Sequence, residues 1–466
     1  MEHNEYLKKV NTEINNISPS FCVAKWKQVT MHLQNGHNHS CHHPATHYVS
    51  VDEIKRNPTA LHNSEFKKEQ RKLMLEGKRP GECDYCWRVE DTPGDHYSDR
   101  TYKSADPSWA LPYIGEITET PWFENIDPSY VEVSFSNVCN FKCSYCAPHI
   151  SSKWMEEIEQ YGPYPTTHLF NNLDWVKHQN MMPIPNKDEN PYVDAFWNWF
   201  PDMYKNLKYF RITGGEPLLN KNTFKVLDYI IENPNPDLEV AINTNMNPPP
   251  ELLDKFLEKV KIIMDENKLK KFKLFTSAEA HGKQSEYIRF GMNYDQWLEN
   301  IHRTYKEIPG IQFTIMSTYN LLSVTSYTKF LQDMLDIKRK YGSGSYSPLL
   351  LDIPYLRHPE HQAVFIMERE QLDMIYDQIT FMAENVEFKD WYETSNRGFY
   401  ESEIDKLKRI YTMVKTSVEN PNEWLPGNRK DFVLFVDEHD KRRGTNFVET
   451  FPELADMYRK WKLLYV

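Results

Sequence analysis

The sequence predicts an α/β protein: a partial barrel of six βα units, preceded by a Cys-rich metal or cluster region and followed by a mostly helical C-terminal extension. Three observations predict it. Between about residues 130 and 355, short apolar runs alternate with helical stretches, the pattern of parallel strands buried on both faces and joined by crossover helices. The residues after each run are polar or glycine, as at the functional ends of such strands. All seven cysteines precede that pattern or sit at its first strand end: Cys22, Cys41, Cys83 and Cys86, then Cys139, Cys143 and Cys146.

The six runs are Tyr130 to Ser136, Tyr209 to Thr213, Leu238 to Thr244, Lys271 to Ser277, Ile311 to Tyr319 and Pro348 to Tyr355. They divide the chain into a Cys-rich region (1–115), the barrel (116–355) and the helical region (356–466). The first run leads into Cys139-Asn-Phe-Lys-Cys143-Ser-Tyr-Cys146. Four cysteines close a structural metal site or hold an Fe–S cluster, so three point to a cluster with one iron left open. The second run leads into Gly214-Gly215-Glu216-Pro217, where the glycines permit close backbone approach and the glutamate offers a carboxylate to a cation. Asn243 and Asn245 follow the third run, Ser277 and Glu279 the fourth, with Arg289 on the helix after it. Ser317, Thr318 and Asn320 follow the fifth.

The 67 residues between Cys146 and Gly214 exceed one crossover helix. The part from about 161 to 201 therefore reads as an insertion near the mouth of the site, a candidate lid. Its Phe196-Trp-Asn-Trp-Phe200 piece reads as a packed cap.

Residues 1 to about 110 are polar, His-rich and weakly periodic, with one helix near Ser64 to Glu76 ending at Gly77. Such a segment gains from a metal staple. Cys83 and Cys86 have the two-residue gap that turns both sulfurs onto one centre. His37, His39, His42, His43 and His47 around Cys41 are alternative ligands, and read mainly as solvated loop histidines. Beyond Tyr355, Glu368 to Asn385 and Ser402 to Ser417 have helical spacing. Asp431 to Val436 reads as a last strand, with a charged, solvated turn at Asp440-Lys-Arg-Arg443 and a helix from Pro452.

The formal net charge is −12, from 55 Lys and Arg against 67 Asp and Glu. That disfavours a general nucleic-acid or anionic-membrane binder. The N-terminus lacks the apolar core of a signal peptide, and no apolar run approaches the ~20 residues of a membrane span. The expectation is a cytoplasmic protein without disulfides.

Cys139-x3-Cys143-x2-Cys146 after the first strand and Gly-Gly-Glu-Pro after the second resemble the radical S-adenosylmethionine (SAM) superfamily, over about residues 125 to 355. The resemblance implies a [4Fe-4S] cluster on the three cysteines whose open iron chelates the amino and carboxylate groups of SAM. Reductive cleavage then yields a 5′-deoxyadenosyl radical that abstracts hydrogen from a substrate. It implies that Tyr145 lies against the adenine and that Gly214, Gly215 and Glu216 hold the ammonium. Asn243, Asn245, Ser277 and Glu279 are the candidates for the ribose, and Arg289 for the methionyl carboxylate. An external electron donor such as flavodoxin or ferredoxin is implied as well.

Cys22-x13-Gly36-x4-Cys41 with Cys83-x2-Cys86 is similar to the SPASM/twitch pattern of auxiliary Fe–S clusters in peptide-modifying members, although such domains normally follow the barrel. A zinc site on the same cysteines is the alternative. If all seven thiols ligate, none is free as a hydrogen-atom donor. The expected activity is a radical SAM oxidoreductase acting on a peptide or protein side chain. The rivals are a small-molecule substrate, such as a sugar or nucleotide, and a non-catalytic zinc-binding interaction module.

Overall fold

The computed structural model describes every residue except Met1, Glu2, Asp95, Phe388, Trp391 and Tyr392. The strands that position the site are, in chain order, β1 (Gln28–His32), β2 (His37–His39), β3 (His47–Tyr48), β4 (Tyr130–Ser134), β5 (Lys142–Cys143), β6 (Tyr209–Thr213), β7 (Asn235–Asn243), β8 (Leu269–Ser277), β9 (Arg289–Phe290), β10 (Gln312–Met316) and β11 (Leu349–Asp352). All six predicted runs form strands, and helices separate them as expected of the α/β class. The chain divides into two compact units, Met1–Asn137 with Lys177–Ile242 and Ile263–Lys271, and Val138–Val176 with Asn243–Ile262 and Phe272–Val466.

In the first unit β1 pairs parallel with β4, β4 with β6 and β6 with β7. β2 runs antiparallel to β1, and β3 to β2. The register aligns Val29, Val131, Phe210 and Val240 in one buried row. Thr30, Glu132 and Arg211 align on the opposite face. The strands are thus apolar on one face only, which corrects the expectation of burial in hydrophobic surroundings on both. Over the apolar face lies the helix Pro191–Tyr204, which begins where the Asn190 side chain accepts from the amides of Tyr192 and Val193. Phe196 and Phe200 pack on Phe210 with centroids 6.4 and 5.5 Å apart, so the Trp-rich piece is a packed cap.

Residues 1 to 110 are more ordered than their composition suggests. A helix His3–Ile17 buries Leu7, Val10 and Ile14 against a core that includes Trp26, Trp87 and Trp109. The 3- and 4-residue spacing of those three residues was the missed signal. The predicted helix is present as Glu65–Leu75, capped by Ser64 and followed by Gly77 at φ +74°.

In the second unit β8, β10 and β11 are parallel neighbours, and β5 pairs antiparallel with β9, setting Cys143 opposite Arg289. The helices Leu372–Glu384 and Glu401–Glu419 match prediction. The strand expected at Asp431 to Val436 is instead the middle of a helix, Leu425–Arg443. Phe432, Val433, Phe435 and Val436 are all fully buried, because this helix is enclosed on several sides, and an apolar run then has no helical period to reveal it. Asp440 to Arg443 is accordingly its last turn, closed by Gly444 at φ +64°, and not a solvated loop.

Candidate active site

The loop that carries the three cysteines is held by hydrogen bonds on both sides of each sulfur. The Cys139 amide donates to Ser152 Oγ at 3.2 Å, the Cys146 amide to the Cys143 carbonyl at 2.9 Å, and Trp154 Nε1 to the same carbonyl at 2.8 Å. The Phe141 amide points at Cys139 Sγ, 3.4 Å away, and Arg289 Nη1 at Cys143 Sγ, 3.7 Å away. N–H groups aimed at sulfur stabilise a thiolate. Burial still dominates: it pushes Cys146 up to about 12 and raises Cys143 against the opposing pull of Arg289. A cation that binds them must therefore drive the protons off.

Tyr145, Glu279 and Arg289 form one buried network beside the loop. Arg289 Nε and Nη2 donate to Glu279 Oε2 at 2.9 and 2.6 Å, and Nη2 also reaches the Tyr145 hydroxyl at 2.6 Å. The Tyr145 hydroxyl donates to Glu279 Oε1 at 3.1 Å. Burial raises the Glu279 carboxyl and Arg289 opposes it, while burial would lower Arg289 but for Glu279, Tyr145 and Cys143. Three residues singled out from sequence thus meet, with the guanidinium fork already engaged by a carboxylate.

Asn245 Nδ2 donates to Asn140 Oδ1 at 2.7 Å, within the cysteine loop, and its own Oδ1 accepts from the Asn247 amide at 2.9 Å. Asn243 ends β7 and Ser277 ends β8. In the other unit, Gly214 adopts φ +127°, where a Cβ would stand 2.7 Å from Ser134 Oγ and 2.9 Å from the Ser136 carbonyl. The Gly215 amide donates to that carbonyl at 3.2 Å. Buried Glu216 caps the next turn by accepting from the Leu218 amide at 2.9 Å.

Residues 133–323 match the family described as the Radical SAM superfamily, a span that contains the cysteine loop, the Gly-Gly-Glu-Pro turn and the Tyr145, Glu279 and Arg289 network. Over that span the chain is similar to the Radical SAM superfamily. Over 116 residues it is 27% identical to a GTP 3′,8-cyclase of Nautilia profundicola, covering 25% of this chain and 27% of that protein. Over 135 residues it is 29% identical to a GTP 3′,8-cyclase of Aliarcobacter butzleri, covering 28% and 30%. The chain thus spans less than a third of the length of these relatives. A crystal structure of Streptococcus suis SuiB bound to precursor peptide SuiA aligns with a TM-score of 0.34 at 12% identity, over 81% of this chain and 72% of that one. SuiB bound to S-adenosylmethionine aligns at 0.32 and 13% identity, over 77% and 70%.

Two further features of the structure bear on function. A cavity of about 490 Å³ opens beside Tyr145 and Cys146, lined also by Phe170, Trp175 and His361. Buried Asp431 pins its rim by accepting from the Thr167 and His168 amides. Separately, Cys22, Cys41, Cys83 and Cys86 line a single cavity together with Lys25. Burial pushes Cys83 up to about 12 and Cys86 to about 11. Among the described residues, no group of three or more His, Cys, Asp or Glu side chains is arranged to hold a metal ion.

The histidines near Cys41 differ from expectation. His37 and His39 are buried in β2 rather than solvated, with His37 bonded to Thr46 Oγ1 at 3.0 Å and to the Asn180 carbonyl at 3.1 Å. His43 is bonded to Asp99 Oδ2 at 2.6 Å. Sequence reasoning also missed Glu157 and Arg443, both buried next to the cysteine loop. Arg443 donates to Glu157 Oε2 at 3.2 Å. No local pattern marks a pair separated by so much chain. No helix among the described residues is long and apolar enough to cross a membrane.

Proposed function

We propose that this chain is a radical SAM enzyme in which Cys139, Cys143 and Cys146 hold a [4Fe-4S] cluster and hydrogen is abstracted from a peptide or protein side chain. The observation that carries the reading is the Arg289 N–H directed at Cys143 Sγ from a guanidinium fixed by Glu279 and Tyr145. When bound, such a cluster supplies one electron to SAM, whose cleavage releases the radical that takes the hydrogen atom.

The chain's own part is orientation and exclusion of water. Ser152 and Trp154 fix the loop backbone, and Phe141 and Arg289 direct N–H groups at its sulfurs. We assign the Tyr145 ring to the adenine, and Gly214, Gly215 and Glu216 to the SAM ammonium. Asn243, Asn245, Ser277 and Glu279 are assigned to the ribose. Arg289, engaged with Glu279, presents its positive charge to the methionyl carboxylate. An external flavodoxin or ferredoxin is the proposed electron donor.

The substrate class is supported by the resemblance of the four N-terminal thiols, which line one cavity, to the SPASM/twitch pattern of auxiliary Fe–S clusters. Zinc is the alternative occupant. A small-molecule substrate is the second reading, favoured by the cyclase relatives, which act on GTP by their names. Anaerobic reconstitution with iron and sulfide, followed by dithionite and SAM, tests the activity. Release of 5′-deoxyadenosine that disappears in Cys143→Ala is expected, and a colourless zinc protein that releases none sinks the proposal. Deuterium transfer into 5′-deoxyadenosine from labelled peptides or from labelled nucleotides then decides between the substrates.

A further inference from the structure

The cavity beside Tyr145 and Cys146 is lined wholly by the second unit, and one side chain on its wall is held ready for a ligand. The His168 ring is more than half exposed, whereas the Asp431 carboxylate that holds it is fully buried. Asp431 accepts from the Thr167 amide at 2.5 Å, the Thr167 hydroxyl at 2.7 Å, the His168 amide at 3.0 Å and His168 Nδ1 at 2.9 Å. Burial would raise the Asp431 carboxyl, but these donors outweigh it and hold the group below the usual carboxylate range. An ionised carboxylate only accepts, so the ring proton sits on Nδ1 and the neutral imidazole keeps its lone pair on Nε2. Among the described residues Nε2 has no hydrogen-bond partner.

The same short stretch of chain reaches the cysteine loop, where Asn171 Nδ2 donates to the Cys146 carbonyl at 3.0 Å. Between the two anchors, Phe170 is buried against Trp154 and His361, with ring centroids 5.7 and 5.1 Å apart. Trp175 is half-exposed on the same wall. His361 is neutral, because burial lowers it to about 3. Among the described residues no Lys or Arg lines the cavity. Its carboxylates are Asp431, already engaged by four donors, and Glu360, which is exposed. A phosphate would enter such a space with no cation to meet it, and burying an unpaired charge is costly. An aromatic ring has rings to pack on, and a donor at its edge has the Nε2 lone pair to meet.

We propose that this cavity receives an uncharged aromatic side chain of the substrate peptide that carries an O–H or N–H donor, a phenol or an indole, and that His168 accepts its hydrogen bond. His168 is then a specificity-determining residue, and Asp431 is the positioning residue that fixes its tautomer. The inference rests on the peptide reading of the proposed function and names the kind of side chain taken.

The test measures binding by calorimetry to the anaerobically reconstituted full chain. The probes are N-acetyltyrosinamide and its O-methyl ether, which keeps the ring and loses the donor. The parent is expected to bind the phenol about tenfold more tightly than the ether, the ratio for roughly one satisfied hydrogen bond. His168→Ala should bind the two alike, and His168→Gln, whose side-chain carbonyl still accepts, should restore part of the preference. No binding of either probe, equal binding of both by the parent, a preference that survives His168→Ala, or GTP binding that His168→Ala weakens would each overturn the proposal. Release of 5′-deoxyadenosine from SAM is followed in the same samples. Its absence from the parent would sink the proposed radical chemistry, while its presence without a preference for the phenol would sink this site alone.

Discussion

Arg443 Nη1 donates to the Lys142 carbonyl at 2.7 Å, so the last turn of the C-terminal helix Leu425–Arg443 braces the residue next to Cys143. The same guanidinium faces Glu157, whose carboxylate also takes Lys142 Nζ at 2.6 Å and the Tyr164 hydroxyl at 2.7 Å. The position of the cysteine loop therefore depends on a helix far away in sequence.

Arg443→Met should destabilise the protein by about 3–5 kcal/mol, because it leaves buried Glu157 with one cation where it had two. Urea unfolding measures this. A loss below about 1 kcal/mol would place the pair among surface ion pairs and refute its role as a brace.

The same carboxylate predicts an acid-sensitive stability. Burial alone would raise Glu157, but Arg443, Lys142 and Tyr164 outweigh it and hold the group down to about 2, against an ordinary value of 4.5. The folded value lies below the unfolded one, so the unfolded chain takes up this proton first as pH falls. The contribution is complete above about pH 4.5 and disappears between there and about pH 2. Glu157→Gln should flatten the slope of unfolding free energy against pH in that window, and an unchanged slope would contradict the assignment.

Gly214→Ala should cost roughly 1–3 kcal/mol in strain alone, since φ +127° is unfavourable for any residue with a Cβ and this Cβ would press on Ser134 and Ser136. Chemical denaturation checks the loss, and calorimetry with SAM checks the expected fall in affinity. A variant as stable as its parent, binding SAM equally well, would remove this turn from the site.

At Tyr145 the ring and the hydroxyl have separable tasks. Tyr145→Phe deletes the bridge between Arg289 and Glu279 and should cost about 1.5–3 kcal/mol, as for hydrogen bonds to charged groups, while keeping a ring for the adenine. Tyr145→Ala should in addition weaken SAM binding severalfold. Equal SAM affinity in both variants would show that the ring does not meet the cofactor.

The thiol spacing, the Gly-Gly-Glu-Pro turn and the six strands were legible in the sequence because each depends on neighbours within a few residues: ligand offsets, a glycine conformation, a short apolar run. Ser64 and Gly77 marked their helix for the same reason. Tertiary structure alone decided that Asp431 to Val436 is helix, since enclosure by other elements removed the polar face that gives a helix its period. It also decided that Arg443 is a buried brace rather than a solvated turn residue. A buried charge is costly only in relation to what surrounds it, and those surroundings come from distant parts of the chain, so composition fixed which charges exist and the fold alone fixed which of them had to be matched.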